Sequence, residues 1–154
     1  MILVDANILL YAYDSAASEH LKAREWLEDV LAKPEPVLFP WQSIHAFVRI
    51  ATNPRAWRTP LSIEEARAVV DEWLLLPNVV TPSPGERHWE ILRELLADSQ
   101  CRGPLVADAV LAALAMEHGA DLCTNDRDFS RFPKLRVVNP LEMNGANSGR
   151  RIVR

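Results

Sequence analysis

Short apolar runs alternate with longer segments of helical periodicity along the chain. The apolar runs predict five short strands, at residues 2–4, 37–39, 79–80, 122–124 and 136–138. Apolar residues at helical spacing predict helices over 7–13, from an N-cap at Ser18 to Leu31, and over 41–52, 62–75, 86–97 and 105–118. This alternation indicates an α/β fold, in which a central, mostly parallel sheet of about five short strands is covered by helices on both faces.

Local signals at the element ends sharpen these boundaries. Ser62 and Glu65 are spaced as in a capping box, which opens a helix. Gly119 follows the Ala-rich helix, where glycine commonly ends a helix. From residue 144 the chain shows no hydrophobic periodicity. We therefore expect one domain over residues 1–143 and a mobile C-terminal tail over 144–154.

Composition and charge are those of one compact domain. The 154 residues are 49% hydrophobic and include two cysteines, which do not suggest a disulfide framework. No basic leader followed by a long apolar segment opens the chain, so we expect a cytoplasmic protein without a membrane partner. The net charge of −4 argues against nucleic-acid binding through a broad basic surface. A nucleic-acid partner would have to be contacted locally.

Four aspartates occupy positions next to predicted strands or at the start of a helix. Asp5 follows the first strand, Asp126 and Asp128 follow the fourth, and Asp108 lies in the first turn of the Ala-rich helix. The carboxyl ends of parallel strands meet at one edge of a sheet, so we expect these side chains to lie close together. Clustered carboxylates repel one another unless a divalent cation neutralises them, and oxygen ligands favour Mg²⁺ or Mn²⁺.

The expected chemistry of such a cluster is phosphodiester hydrolysis. A hard cation can bind a phosphodiester oxygen and lower the pKa of an attacking water. Each aspartate also has a plainer explanation, because aspartates after strands often form turns and an acid in the first turn of a helix interacts favourably with its dipole. The residue pattern alone leaves both explanations open.

Four sequence blocks, in order, resemble PIN-domain ribonucleases, and specifically the VapC toxins of bacterial toxin-antitoxin pairs. They are VDANILLY at 4–11, RIATNPR at 49–55, LVADA at 105–109 followed by an Ala-rich helix, and TNDRDF at 124–129. The resemblance covers residues 1–141 and is strongest to the branch common in mycobacteria and other actinobacteria. It implies a single PIN-like domain.

The resemblance also implies an activity, a metal and partners. The activity is a Mg²⁺- or Mn²⁺-dependent endoribonuclease that cuts structured RNA, often tRNA or ribosomal RNA. Asp5 and Asp108 would be the main metal ligands, Asp126 a further ligand or an acid that positions the base, and Asp128 would stand behind it. Asn7 would orient Asp5 or contact the water shell of the metal, while a helix N-cap is the structural alternative for Asn7. The partners would be a second copy of the chain, in a homodimer, and a VapB-type antitoxin.

One position departs from the family pattern. Many members carry a glutamate a few residues before the arginine that matches Arg49, and this chain has Ala46 there with His45 beside it. Fewer carboxylates should favour one metal ion over two, and His45, Gln42 or Ser43 could supply a replacement contact.

Two other functions remain open at this stage. Asp5 after a first strand is also where a haloacid-dehalogenase-like hydrolase places its nucleophile, although such enzymes need a lysine and only Lys134 lies in the downstream half. Alternatively, loss of the glutamate leaves a catalytically weakened domain that only binds RNA or an antitoxin. The arginines near the predicted site are candidates for phosphate contact or for pairing with nearby acids: Arg49, Arg55, Arg58, Arg87 and Arg127.

Overall fold

A computed structural model describes residues 1–142 of the chain. Within this range, five strands form one sheet in the order β3-β2-β1-β4-β5. The strands are β1 (Ile2–Val4), β2 (Val37–Leu38), β3 (Val79–Val80), β4 (Asp121–Cys123) and β5 (Val137–Val138). Every neighbouring pair is parallel, which confirms the predicted α/β sheet. The predicted tail over 144–154 lies outside the described residues.

Helices connect the strands at the predicted places. They are α1 (Ala6–Tyr13), α2 (His20–Leu31), α3 (Trp41–Ala51), α4 (Ile63–Leu75), α5 (His88–Asp98) and α6 (Leu105–Glu117), with a 3₁₀ helix at Arg127–Arg131. The capping box is confirmed, because the Ser62 hydroxyl accepts from the Glu65 N–H and the Glu65 carboxylate accepts from the Ser62 N–H. Gly119 follows α6 with a φ of 63°, as predicted. None of these helices is long and apolar enough to span a membrane.

The predicted N-cap of α2 is wrong. Glu19 occupies the N-cap position, and no side chain caps this helix. The Ser18 hydroxyl donates instead to the Glu19 carboxylate at 2.8 Å. A serine before a helical pattern therefore marks the approximate start of the helix, but its hydroxyl can be used by a neighbouring side chain.

The core lies on both faces of the sheet because consecutive strand residues point to opposite sides. Leu3 packs with side chains of α5 and α6 on one face, whereas Val4 packs with side chains of α1 and α3 on the other. Both leucine and valine are fully buried. A sheet covered on both faces exposes its strand ends, and the polar residues there are free to form a site.

A glutamate fastens the loop before α5 to the end of α6. The Glu117 carboxylate accepts from the N–H groups of Gly85 at 2.9 Å and Arg87 at 3.1 Å. A Cβ atom at position 85 would lie 2.6 Å from Glu117 Oε1. A side chain at position 85 would therefore displace the Glu117 carboxylate from these contacts.

Candidate active site

The carboxyl ends of β1 and β4 place Asp5 and Thr124 side by side. Val4 is paired with Cys123 in the sheet, and the Asp5 N–H donates to the Cys123 carbonyl at 3.0 Å. The buried Thr124 hydroxyl donates to Asp5 Oδ2 at 2.7 Å. The other carboxylate oxygen accepts from the Ala6 N–H at 2.7 Å, so Asp5 is the N-cap of α1. Both oxygens of Asp5 are thus held in place.

The same threonine organises the turn that carries Asp126 and Asp128. The Thr124 hydroxyl oxygen accepts from the Asp126 N–H at 3.0 Å. The Asp126 carboxylate accepts from the Asp128 N–H at 2.8 Å and caps the 3₁₀ helix. Phe129 is buried and anchors this helix to the core. The two acids after β4 are therefore fixed relative to Asp5 through a single hydroxyl group.

Asp108 completes a cluster of four acids. It lies in the first turn of α6 and is half-buried. Burial raises the pKa of Asp108, and the negative charges of Asp126, Asp5 and Asp128 raise it further. The pKa of Asp5 is also raised by burial, against the lowering effect of its hydrogen bonds, and Asp126 adds to the increase. Asp108 therefore lies within electrostatic range of the other three aspartates predicted from the sequence.

Asn7 joins this cluster from inside α1. Its side-chain amide donates to the Thr124 hydroxyl at 3.0 Å. Its carbonyl oxygen Oδ1 is buried and has no hydrogen-bond partner among the described residues. The N-cap alternative for Asn7 is wrong, because Asp5 holds that position. Asn7 instead donates a hydrogen bond to the Thr124 hydroxyl that orients Asp5. Its side-chain oxygen is left as an acceptor without a hydrogen bond among the described residues.

Sequence and fold comparisons agree on the family. The PIN domain model matches residues 2–135. The chain belongs to the PIN domain family. It is 39% identical over 142 residues to ribonuclease VapC43 of Mycobacterium tuberculosis, covering 92% of this chain and 97% of that protein. It is 40% identical over 140 residues to ribonuclease VapC37 of the same organism, covering 91% and 97%.

A solved structure supports the PIN fold independently. VapBC2 from Rickettsia felis, bound to a DNA fragment from its promoter, superposes with a TM-score of 0.64 at 21% identity. The match covers 90% of this chain and 98% of that one. At this identity the likeness shows the fold alone, and it spans nearly the full length of both chains.

Two residues of this PIN domain escaped prediction. Thr124 ends a strand, and threonine is common in strands for reasons of shape alone. Arg131 opposes the increase in the pKa of Asp108, although the arginines singled out from the sequence did not include it. The only available signal was the position of each residue, Thr124 two residues before Asp126 and Arg131 three residues after Asp128.

Two of the predicted substitutes for the missing glutamate, His45 and Ser43, form no hydrogen bond with the clustered acids among the described residues. Ala46 is half-buried on α3, whereas His45 is exposed with its ring 5.8 Å from that of Trp41. His45 is not among the groups that shift the pKa of Asp5 or Asp108. The Ser43 hydroxyl is buried without a partner within residues 1–142. The described contacts therefore assign no replacement at this position.

The donor set fits a hard divalent cation. PIN-domain VapC ribonucleases are generally dependent on a divalent metal. No three His, Cys, Asp or Glu side chains in the described part of the chain are arranged to hold a metal ion. The chemistry of the group nevertheless suits one, because a cation would relieve the repulsion that adds to the effect of burial on the pKa of Asp108. The unpartnered Asn7 oxygen adds an oxygen acceptor beside the carboxylates.

Proposed function

We propose that this protein is a Mg²⁺- or Mn²⁺-dependent endoribonuclease that hydrolyses phosphodiester bonds in structured RNA, such as tRNA or ribosomal RNA. It is a ribonuclease of the VapC toxin class. The proposed metal-dependent hydrolysis of RNA is supported by the cluster of Asp5, Asp108 and Asp126 at one edge of the sheet. Burial raises the pKa of Asp108 there, and the charges of the neighbouring acids raise it further, as expected for acids arranged to share a cation.

Each acid has a proposed role in this reaction. Asp5, Asp108 and Asp126 would hold the metal, and Asp128 would support Asp126 from the 3₁₀ helix. A divalent cation bound there supplies charge for a phosphodiester oxygen and increases the acidity of the attacking water. Thr124 keeps the Asp5 carboxylate oriented, and its hydrogen bond favours the ionised form that a metal requires.

The proposed partners follow from the same family membership. A VapB-type antitoxin is supported by VapBC2, a VapC-fold structure solved as a toxin-antitoxin complex. We further propose a homodimer, as expected from the sequence resemblance. Size-exclusion chromatography with light scattering, with and without a co-expressed antitoxin, tests both assemblies. A single 17.4 kDa species under all conditions would contradict the homodimer.

The function is tested by cleavage of total bacterial RNA with the purified, antitoxin-free full chain. We expect cleavage with Mg²⁺ or Mn²⁺, its loss in EDTA, and its loss in Asp5→Asn and Asp108→Asn. The matched control is Asp71→Asn, which neutralises an exposed aspartate on α4 and should cleave normally. Undiminished cleavage by either cluster variant, or cleavage that persists in EDTA, overturns the proposal.

The two alternatives from the sequence are not favoured. A haloacid-dehalogenase-like hydrolase is inconsistent with a PIN domain match over residues 2–135. A binding-only domain lacks support because the relatives at 39% and 40% identity are named as ribonucleases over nearly their full length. Ala46 at the glutamate position therefore bears on the number of metal ions and on rate more than on the class of reaction.

A further inference from the structure

Arg131 is a positive charge in direct contact with Asp128, to whose backbone and carboxylate it lies close. It is the last residue of the 3₁₀ helix that begins after Asp126. Its charge lowers the pKa of Asp108 against the effects of burial and of three neighbouring acids. No other cation in the described part of the chain is among the groups that shift the pKa of Asp5 or Asp108. The side chain therefore lies within electrostatic range of the cluster.

Two hydrogen bonds, one from the Arg131 side chain and one to its backbone, hold this residue in place. Its Nε–H donates to the Asp128 carbonyl at 3.0 Å, and its own backbone carbonyl accepts from the Ser99 hydroxyl at 3.1 Å. The buried rings of Phe129 and Phe132 fix the helix around it. An arginine anchored in this way loses little further freedom when it binds a ligand.

The other side of the guanidinium group remains available. Arginine has five N–H donors, and the Nε–H is the only one with a hydrogen bond among the described residues. Its Nη2 atom lies 3.6 Å from Asp128 Oδ1, which is longer than a hydrogen bond. The side chain is 32% exposed. Four donors are thus free beside the acids, in the planar arrangement that suits a phosphate group.

A cluster of carboxylates repels RNA, so a phosphate that approaches it needs a fixed positive charge nearby. We propose that Arg131 is a substrate-binding residue, whose Nη groups hold a phosphate of the RNA backbone next to the carboxylate cluster. This assignment rests on the proposed ribonuclease function. It predicts opposite effects of Arg131 on the two ligands of the site: the positive charge attracts the RNA phosphate and opposes a metal cation.

RNA binding tests this assignment directly. The probe is a fluorescent library of RNA hairpins with randomised loops, measured by anisotropy with the full chain at several salt concentrations. Ca²⁺ replaces Mg²⁺ because its flexible coordination supports binding without the strict geometry of Mg²⁺. We expect Arg131→Ala to weaken binding about tenfold and to reduce the slope of log affinity against log salt by about 0.7, the value for one phosphate contact on a single strand. Arg131→Lys should be intermediate, because it keeps the charge but not the planar group.

The matched control is Arg67→Ala. Arg67 is exposed on α4 and forms no ion pair within residues 1–142, so this variant makes the same change in net charge away from the site. It should bind the library as the unsubstituted chain does. Equal loss of affinity in Arg67→Ala and Arg131→Ala would overturn the proposal, since the effect would then be one of total charge.

Calorimetric titration with Mn²⁺, without RNA, separates substrate binding from a purely structural role. Arg131→Ala should bind Mn²⁺ as tightly as the unsubstituted chain or more tightly, because a repelling charge has been removed. If Mn²⁺ and RNA affinities fall together, Arg131 only maintains the shape of the 3₁₀ helix and the proposal is wrong. Cleavage is measured separately from binding. If the unsubstituted chain binds RNA but does not cut it, the proposed function is wrong. The change in the salt dependence of RNA binding on Arg131→Ala still tests the role of Arg131.

Discussion

Replacing Thr124 with valine should make the acid cluster of this ribonuclease more sensitive to low pH. The two side chains have nearly the same shape, so the main loss is the hydroxyl that donates to Asp5 at 2.7 Å and accepts from Asn7 and Asp126. Burial already raises the pKa of Asp5, and the Thr124 hydrogen bond is the largest effect that lowers it. Without that bond, the carboxyl group should remain protonated to a higher pH and bind a metal ion less readily.

The size of the effect follows from the energy of the lost contact. A hydrogen bond to a charged group contributes about 1.5–3 kcal/mol, and about 1.4 kcal/mol corresponds to a tenfold change in equilibrium. The fraction of ionised Asp5 at acidic pH should therefore fall about ten- to a hundredfold. The acid limb of kcat/KM, measured with saturating Mn²⁺ on a fluorogenic RNA hairpin library, should move upward by roughly one to two pH units.

Thr52→Val is the matched control for this prediction. It makes the same chemical change at a threonine whose hydroxyl donates to the Val48 carbonyl at 2.7 Å, at the end of α3. Its pH profile should match that of the unsubstituted chain. If Thr124→Val folds normally by circular dichroism but keeps the original acid limb, the hydroxyl does not control the ionisation of Asp5 and our reasoning is refuted.

Two further predictions concern stability. The raised pKa of Asp108 means that the stability it contributes is complete below its ordinary value of 3.8 and is lost as pH rises through the folded-state value. Asp108→Asn should therefore increase the urea midpoint of the metal-free chain at pH 7, and an unchanged midpoint would contradict the cost of burying this charge among other acids. Gly85→Ala places a Cβ atom 2.6 Å from Glu117 Oε1, should displace that carboxylate from its hydrogen bonds, and should cost about 1 kcal/mol by thermal unfolding. The same change in a Glu117→Ala background should cost little, and equal costs in both backgrounds would show that the contact is not responsible.

The fold and the positions of the acids could be predicted because each depends on a local pattern with one physical explanation. Residues 2–4 are apolar and Asp5 ends the run, as expected where a strand buried on both faces reaches the edge of its sheet. Asp108 stands in the first turn of a helix whose other residues are nearly all apolar. Parallel pairing of β1 with β4 then brings Asp5 close to the acids that follow β4.

The contacts between these residues could not be predicted, because they depend on side-chain direction across long sequence separations. The Thr124 hydroxyl meets Asp5 across 119 positions in the sequence. Arg131 is one of 14 arginines, and only the geometry of the 3₁₀ helix turns it toward the acids and leaves Arg127 exposed on the same element. The prediction that Ser18 caps α2 was wrong for a related reason. A serine hydroxyl can form a hydrogen bond either with the end of a helix or with an adjacent carboxylate, and Ser18 bonds to Glu19.

The net charge of −4 does not by itself exclude an RNA partner, because it sums over the whole chain. Four of the 21 acids lie in one cluster, where a bound divalent cation would offset their charge. Arg131 adds a fixed cation next to Asp128, held by the Asp128 carbonyl and with its Nη2 atom 3.6 Å from the Asp128 carboxylate. The proposed function requires RNA to bind at one edge of the sheet of an acidic protein, without a basic surface. Its affinity for RNA should then depend on divalent metal much more strongly than on the number of its basic residues.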